Sequence, residues 1–355
     1  MKKIGILTFI NAYNMGAVIQ AFALQTFINS ELQTKCDLID YECEAIKKQY
    51  QIPNICSLFR RPKSFVSKTL SAVVFRKRYK RIYDFAHSLP LSPKCDGKNY
   101  KDVIQNYDMV IVGSDQVWNP NITNGDEVFL LKDIDAKKVA YAASVGISKL
   151  SNTQKEHFSH NLSSFSNISV REEVAHGILE SIGVDSTVVC DPVFLLNRNI
   201  WDHIAIAPPL REYIFIYKIN ACEKIFKYAL NLSKVTGCQV ICYSNNIVRY
   251  SGIKMVYDVS PAEWLGWIKN ARYIITNSFH ATAFSIIFQK DFMVEILNRN
   301  NANSRVYQLL DIVDMKDRIM DLEVCTDSIN YEKKYAKLDV LIAASKQFIT
   351  DSIGK

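Results

Sequence analysis

The sequence predicts an α/β protein built from two parallel-sheet halves, and three observations carry that prediction. Apolar runs of strand length alternate with segments whose apolar residues recur at the helical period. The strand runs are apolar on both faces, as strands covered by helices above and below must be. The rhythm restarts after Trp201 and the Pro208-Pro209 break, and 355 residues exceed what one hydrophobic core serves, about 250–300 residues.

Each element has its own justification. Residues 3–9 are an apolar run that stops at the polar Asn11-Ala12-Tyr13-Asn14, so they read as a first strand; a secretory leader would have a longer apolar region and a small-residue cleavage site. Residues 17–32 read as a helix, with Val18, Ile19, Phe22, Leu24, Phe27 and Ile28 at helical spacing. Residues 36–41, 108–113 and 138–143 are strands, 153–165 a helix, 168–171 a strand and 172–182 a helix. Residues 188–194 are a further buried strand closed by Asp191-Pro192. In the second half, 213–218, 238–243, 273–276 and 292–296 are strands, and 222–235, 261–270, 279–288 and 304–313 are helices. The 261–270 helix has a legible start: Ser260 as N-cap, Pro261 at the first helical position and Glu263 at the third. Residues 331–353 form one more amphipathic helix. The expected domains are 1–195, with a basic amphipathic insertion near 45–85, then 196–330, then a C-terminal helix within 331–355.

Composition narrows the class. With 48 % hydrophobic and 22 % charged residues the chain is globular, and no stretch approaches the roughly 20 apolar residues a membrane span needs. Nine cysteines with no C-x-x-C and no Cys/His cluster argue against a structural zinc site and for a reduced, cytoplasmic protein. Cys238 and Cys242 share one strand face as core residues.

Ligands of parallel sheets sit at the carboxyl ends of the strands, so the polar loops there are the candidates for chemistry. Asn11-Ala12-Tyr13-Asn14-Met15-Gly16 follows the first strand and opens a helix, but lacks the glycine pattern of a dinucleotide or P-loop site. Asn11 and Asn14 suit hydroxyls or a carboxylate; the alternative is an Asx-turn with Gly16 in a special conformation. Gly113-Ser114-Asp115-Gln116-Val117-Trp118-Asn119 ends another strand. Asp115, Gln116 and Trp118 resemble a sugar-binding set, an aromatic face with hydroxyl partners, and Asp115 suits a general base. The competing reading makes Asp115 a helix cap and Trp118 core. Arg171, in Ser169-Val170-Arg171-Glu172-Glu173, stands at a strand end as a planar donor for carboxylate or phosphate, or as the ion-pair partner of a neighbouring Glu. Asn277-Ser278-Phe279-His280 repeats this architecture in the second half and places His280 in the first turn of a helix. Asn300-Asn301-Ala302-Asn303-Ser304-Arg305 puts Arg305 at the start of another, so Arg171, His280 and Arg305 can converge across the cleft on one small anion.

Taken together, Thr8-Phe9, Asn11 to Asn14, Gly16-Ala17-Val18-Ile19-Gln20-Ala21, residues 112–120, 169–173, Asp191-Pro192-Val193-Phe194 and 277–288 resemble, in order and spacing, the polysaccharide pyruvyl transferase family. The likeness spans roughly residues 3–315. It implies two Rossmann-like domains facing across a cleft, similar to the GT-B glycosyltransferase fold. It also implies transfer of the pyruvyl group of phosphoenolpyruvate to two hydroxyls of a sugar, forming a cyclic ketal and releasing phosphate. On that expectation His280 is a general acid or base, and Asp115 orients or deprotonates the acceptor. Arg171 and Arg305 hold the donor's phosphate and carboxylate, and Asn277, Ser278, Asn11, Asn14, Gln116 and Trp118 line the substrates. No cofactor and no metal are expected, because arginines can neutralise the donor. One departure stands out: many members carry Gly-Asp after the first-strand loop, where this chain has Gly16-Ala17. The competing readings are a nucleotide-sugar glycosyltransferase of the same architecture, a glycan-binding protein without activity, and a nucleic-acid binder, the last disfavoured because it would spread basic and aromatic residues over one face.

The net charge of +7 has one source: residues 45–83 hold eleven Lys and Arg and no Asp or Glu, which leaves the rest of the chain at −4. Within that segment Val66, Leu70, Val73, Val74, Tyr79, Ile82 and Phe85 form a helical apolar stripe. It reads either as a solvated insertion packed on the first domain or as a basic amphipathic surface, residues 60–81, resting on anionic lipid. The second reading expects a lipid-linked oligosaccharide acceptor, Arg76, Lys77 and Arg78 at the membrane, a location at the inner face of the membrane, and no nucleic-acid partner.

Overall fold

The computed structural model describes residues 2–50, 62–219, 222–244, 247, 249–296, 304–321 and 323–354, with side chains described from Val73 onward in the 62–87 helix. Strands β1 (Ile4–Leu7), β2 (Cys36–Leu38), β3 (Met109–Val112), β4 (Lys137–Ala143), β5 (Asn167–Val170) and β6 (Thr187–Val188) form a sheet in the order β2-β1-β3-β4-β5-β6. Strands β7 (Tyr213–Tyr217), β8 (Gln239–Tyr243), β9 (Ile253–Val256), β10 (Tyr273–Thr276) and β11 (Asp291–Val294) form a second, in the order β11-β10-β7-β8-β9. Every strand pair in both sheets is parallel.

The reason the strands read as continuous apolar runs is visible in the packing. In β3, Met109 and Ile111 enter one buried cluster while Val110 and Val112 enter another on the opposite face. The helices that cover these faces are α1 (Met15–Thr26), α2 (Glu44–Tyr50), α3 (Pro62–His87), α4 (Tyr100–Ile104), α5 (Pro120–Thr123), α6 (Asn152–Leu162) and α7 (Glu173–Glu180). They continue as α8 (Arg198–Ile204), α9 (Glu223–Thr236), α10 (Pro261–Asn270), α11 (Phe279–Ile287), α12 (Ser304–Ile312) and α13 (Ala336–Gly354). The capping box at α10 is the one the sequence predicts: Ser260 Oγ accepts from Glu263 N at 3.2 Å, and Glu263 Oε2 accepts from Ser260 N at 2.9 Å.

Each strand order reverses once, between β1 and β3 in the first sheet and between β7 and β10 in the second. Loops leaving neighbouring strands there diverge and open a crevice. Two helices tie the halves together in opposite directions. From the first half, α3 reaches the second, with Arg81 Nη2 2.7 Å from Glu263 Oε1. From the chain's end, α13 returns to the first sheet, where Ser345 Oγ accepts from Cys190 N at 2.9 Å and the Ser352 carbonyl accepts from Lys137 Nζ at 2.8 Å. The core is continuous between them: Trp201 stands edge-on to Phe284 at 4.9 Å within a cluster that also holds Ile4 and Ile6.

Three expectations change. The strand predicted over 188–194 ends at Val188, because the Asp191 side chain accepts from Val193 N at 3.1 Å and starts a short 3-10 turn at Pro192. β9 has no counterpart among the predicted strands; only Ile253 of its four residues is buried, so it lacks a two-sided apolar run. In α3 the buried face is Phe75, Arg78, Ile82 and Ala86, whereas Val73 and Val74 are 66 % and 39 % exposed and so do not belong to an inner stripe. Arg60, Arg61 and the side chains of Lys63, Val66, Lys68 and Leu70 lie outside the described residues. No helix of the described residues is long and apolar enough to cross a membrane.

Candidate active site

The site is assembled on Asp191, a carboxylate carried just past β6 and 1 % exposed. Its Oδ2 accepts from Arg171 Nη1 at 2.5 Å and faces His280 Nε2 at 3.5 Å. Burial by itself would raise this carboxyl; His280 and Arg171 outweigh that and hold it well below the usual carboxylate range. Arg171 follows β5 and is as deeply buried. Its Nη2 lies 3.5 Å from Asp115 Oδ1, and its guanidinium stands 4.9 Å from the centre of the Phe279 ring. Burial would lower the guanidinium pKa, but Asp191, Asp115 and Glu172 raise it overall.

His280 comes from the other half, at the second position of α11, and docks on the second position of α1. The docking needs Gly16: a Cβ added there would stand 2.1 Å from His280 Nδ1. A backbone without a side chain is what lets the imidazole close onto the first half. Gly16→Ala is therefore expected to displace His280 and lower activity about 10²-fold, since misplacing a reacting group by about 1 Å has that effect. Alanine favours the helix itself by roughly 1 kcal/mol, so the far-ultraviolet circular dichroism should be unchanged. Wild-type turnover by this variant would show that the contact does not position His280.

A second ion pair adjoins the first. Glu172, 3 % exposed, accepts at Oε1 from Ser144 Oγ at 2.5 Å and from Gly146 N at 3.4 Å. Its Oε2 has no hydrogen-bond partner among the described residues and lies 3.7 Å from Arg305 Nε. Burial lowers the pKa of the Arg305 guanidinium, and Arg171 lowers it further, against the opposing pull of Glu172, Asp115 and Asp191. Arg171, Asp191, Phe279 and Arg305 line one small gap between the halves.

The structure thus brings His280, Asp115, Arg171 and Arg305 together, but not in the way expected for the arginines. Arg171 is committed to Asp191 and Asp115; Arg305, whose one ion pair among the described residues is with Glu172, is the more available cation. The remaining candidates hold loops. Asn14 Oδ1 caps α1 by accepting from Gly16 N at 2.9 Å and Ala17 N at 3.4 Å. Ser278 Oγ caps α11 by accepting from Ala281 N at 3.4 Å. Asn277 Oδ1 accepts from Ile219 N at 2.8 Å and fixes the loop after β7. Gln116 Oε1 accepts from Asn119 Nδ2 at 2.7 Å, and Asn11 Nδ2 donates to Asp40 Oδ1 at 2.8 Å and to the Tyr41 carbonyl at 3.0 Å.

Trp118 corrects the sugar-stacking expectation. It is 2 % exposed, packs edge-on against Phe158 and Phe165, and its Nε1 donates to the Phe129 carbonyl at 2.9 Å, so no face is left for a ligand. Asn300 to Asn303, expected to lead into Arg305, lie outside the described residues. Sequence reasoning missed Asp191 and Glu172 as site groups. The one was read as a strand end; the other was considered only as a partner for Arg171, whereas it pairs with Arg305. The signal available was a carboxylate beside a strand end in each segment.

Comparison with solved structures finds the same fold at low identity. A UDP-N-acetylglucosamine 2-epimerase from Neisseria meningitidis bound to UDP-GlcNAc aligns with TM-score 0.50 at 10 % identity, over 99 % of this chain and 99 % of that one. The UDP-N-acetylglucosamine 2-epimerase from Rickettsia bellii aligns with TM-score 0.50 at 10 % identity, over 99 % and 96 %. These are GT-B folds, and the two parallel α/β halves here share that architecture. Comparison with curated proteins gives no match. The family profile described as polysaccharide pyruvyl transferase matches residues 14–295, most of the chain, from the Asn14 cap of α1 to the end of β11. The chain belongs to the polysaccharide pyruvyl transferase family.

Proposed function

We propose that this protein transfers the pyruvyl group of phosphoenolpyruvate to two hydroxyls of a sugar, forming a cyclic ketal and releasing phosphate. The observation that supports it is the largely buried cluster of one imidazole, two guanidiniums and three carboxylates gathered from both halves: His280, Arg171, Arg305, Asp115, Asp191 and Glu172. The donor has two anionic groups, and the acceptor must lose two hydroxyl protons.

The proposal gives each residue a role. Arg305 binds the donor's phosphate or carboxylate, since it is mostly but not wholly buried and only loosely paired. His280 delivers a proton to the methylene carbon, leaving an oxocarbenium-like centre at C2. One sugar hydroxyl adds there, the C–O bond to phosphate breaks, and the second hydroxyl closes the ring. The hydroxyl protons return to His280 and leave with phosphate, so the sum is phosphoenolpyruvate plus diol giving ketal plus inorganic phosphate. Asp115 orients the acceptor hydroxyl. Arg171 is a positioning residue: bound to Asp191 and Asp115, it fixes the carboxylate that His280 faces.

A sugar borne on a membrane lipid is part of the proposal, but the surface that would meet lipid is redrawn. Arg78 is buried, and Lys77 and Arg81 pair with Asp258 on the second half. The outer side of α3 presents Val73, Val74 and Arg76 instead. The deciding experiment is phosphate release from phosphoenolpyruvate with a panel of galactose- and mannose-containing lipid-linked acceptors, with UDP-sugars as the parallel donors. Acceptor-dependent phosphate release is the expected result. Binding and turnover of UDP-sugars, with none of phosphoenolpyruvate, would replace this reading by glycosyl transfer.

A further inference from the structure

Helix α3 turns inward one cation that the site above does not use. Arg78 is 2 % exposed, and its guanidinium carbon lies 4.1 Å from the Phe75 ring centre, 5.0 Å from that of Tyr79 and 5.5 Å from that of Tyr243. Its Nη1 donates to the Ser244 carbonyl at 3.1 Å, and its Nε is buried with no hydrogen-bond partner among the described residues. The acids close to it are taken: Asp258 pairs with Lys77 and Arg81, and Glu263 with Arg81. Among the described residues no carboxylate pairs with Arg78. A buried guanidinium without a counter-ion is unfavourable unless an anion arrives from outside.

The surroundings indicate what brings the anion. Tyr217 and Tyr243 end β7 and β8, and their rings stack at 5.6 Å. Tyr13, in the loop after β1 and three residues before Gly16, stacks on Tyr79 at 4.5 Å, with Tyr50 edge-on to it at 4.9 Å. The rings therefore bridge the carboxyl edges of the two sheets, on the loop that leads to Gly16. Tyr13, Tyr50 and Tyr79 are half-buried, each keeping part of its surface in solvent. Burial pushes the Tyr50 hydroxyl up to about 12, with Tyr79 adding and Arg78 opposing. Aromatic faces with polar tips beside a cation suit a sugar ring bearing a charged substituent.

We propose that Arg78, with Tyr13, Tyr50 and Tyr79, forms a second subsite, for a saccharide that carries a phosphate or a carboxylate. That this saccharide is the pyruvyl acceptor rests on the function proposed above. The test is calorimetric titration of the full chain with galactose 1-phosphate, galacturonate, methyl galactoside and phosphoenolpyruvate, each alone. One of the two anionic sugars is expected to bind about ten-fold or more tighter than methyl galactoside, and which one does so identifies the charged group. Arg78→Met should remove that advantage and Tyr13→Ala should weaken binding of the same sugar, both with phosphoenolpyruvate affinity unchanged. Equal or absent binding of the anionic sugars, undiminished binding by Arg78→Met, or a parallel loss of phosphoenolpyruvate in both variants overturns the subsite. Arg78-dependent sugar binding without any phosphoenolpyruvate binding would leave the subsite standing and remove the pyruvyl reading.

Discussion

Replacing His280 by alanine is expected to lower kcat for phosphoenolpyruvate-dependent phosphate release by about 10²–10⁴-fold, the usual contribution of a positioned proton-transfer group. The fall should be in kcat more than in KM, because the proposal has Arg305 rather than the imidazole hold the donor's charge. Steady-state kinetics of the folded variant measure both. A second readout follows from where the proton goes. In heavy water the methyl group of the ketal should carry one deuterium, which mass spectrometry detects in the product. Near-normal turnover by His280→Ala would take the imidazole out of the mechanism. Absence of deuterium in the wild-type product would contradict protonation of the methylene carbon.

Asp191→Asn is expected to be the most destabilising change in the site. It removes one partner of a fully buried pair and leaves Arg171 facing a neutral amide; breaking a buried pair this way costs about 3–5 kcal/mol. Urea denaturation of the two proteins measures the difference, and a loss below about 1 kcal/mol would show that Asp115 alone satisfies Arg171. The sign of the pH dependence follows from the lowered carboxyl. A carboxylate stabilised in the folded state contributes fully above the ordinary aspartate range and loses that contribution as the pH falls through about 4 and below. The wild type should therefore lose stability on acidification more steeply than Asp191→Asn, whose amide has no proton to gain.

The alternation of elements was legible because it is written locally. An apolar run of one period followed by another needs no knowledge of what lies across the fold, and Ser260, Pro261 and Glu263 mark the start of α10 within four consecutive residues. His280 and Arg305 were legible for the same reason, each standing in the first turn of a helix. What could not be read was which polar residue meets which. Asp191 and His280 are 89 positions apart and belong to different halves, so no spacing records their contact. Asn14, Asn119 and Ser278 have the residue types of a sugar site and the residue types of helix caps, and capping is the role they fill. Trp118 was misread because an aromatic between Asp115 and Asn119 looks exposed in sequence, while its ring turns under the loop toward Phe158. Arg78 was misread in the opposite sense: a charged residue in a basic run looks solvated, yet the helical turn that buries Phe75 and Ile82 carries it inward.

The reciprocal crossing of α3 and α13 sets a limit on how the molecule can be taken apart. Each half wears a helix encoded in the other: the second half is braced by Arg78 and Arg81 of a segment more than a hundred residues upstream, and the first by Ser345 and Ser352 near the end of the chain. A break in the connector between β6 and β7 therefore yields two fragments that are both incomplete, one lacking the lid on Cys190 and the other the brace on Ser244. In this arrangement neither sheet with its own local helices is an independent module. The unit that can be inherited, exchanged or truncated is the whole pair.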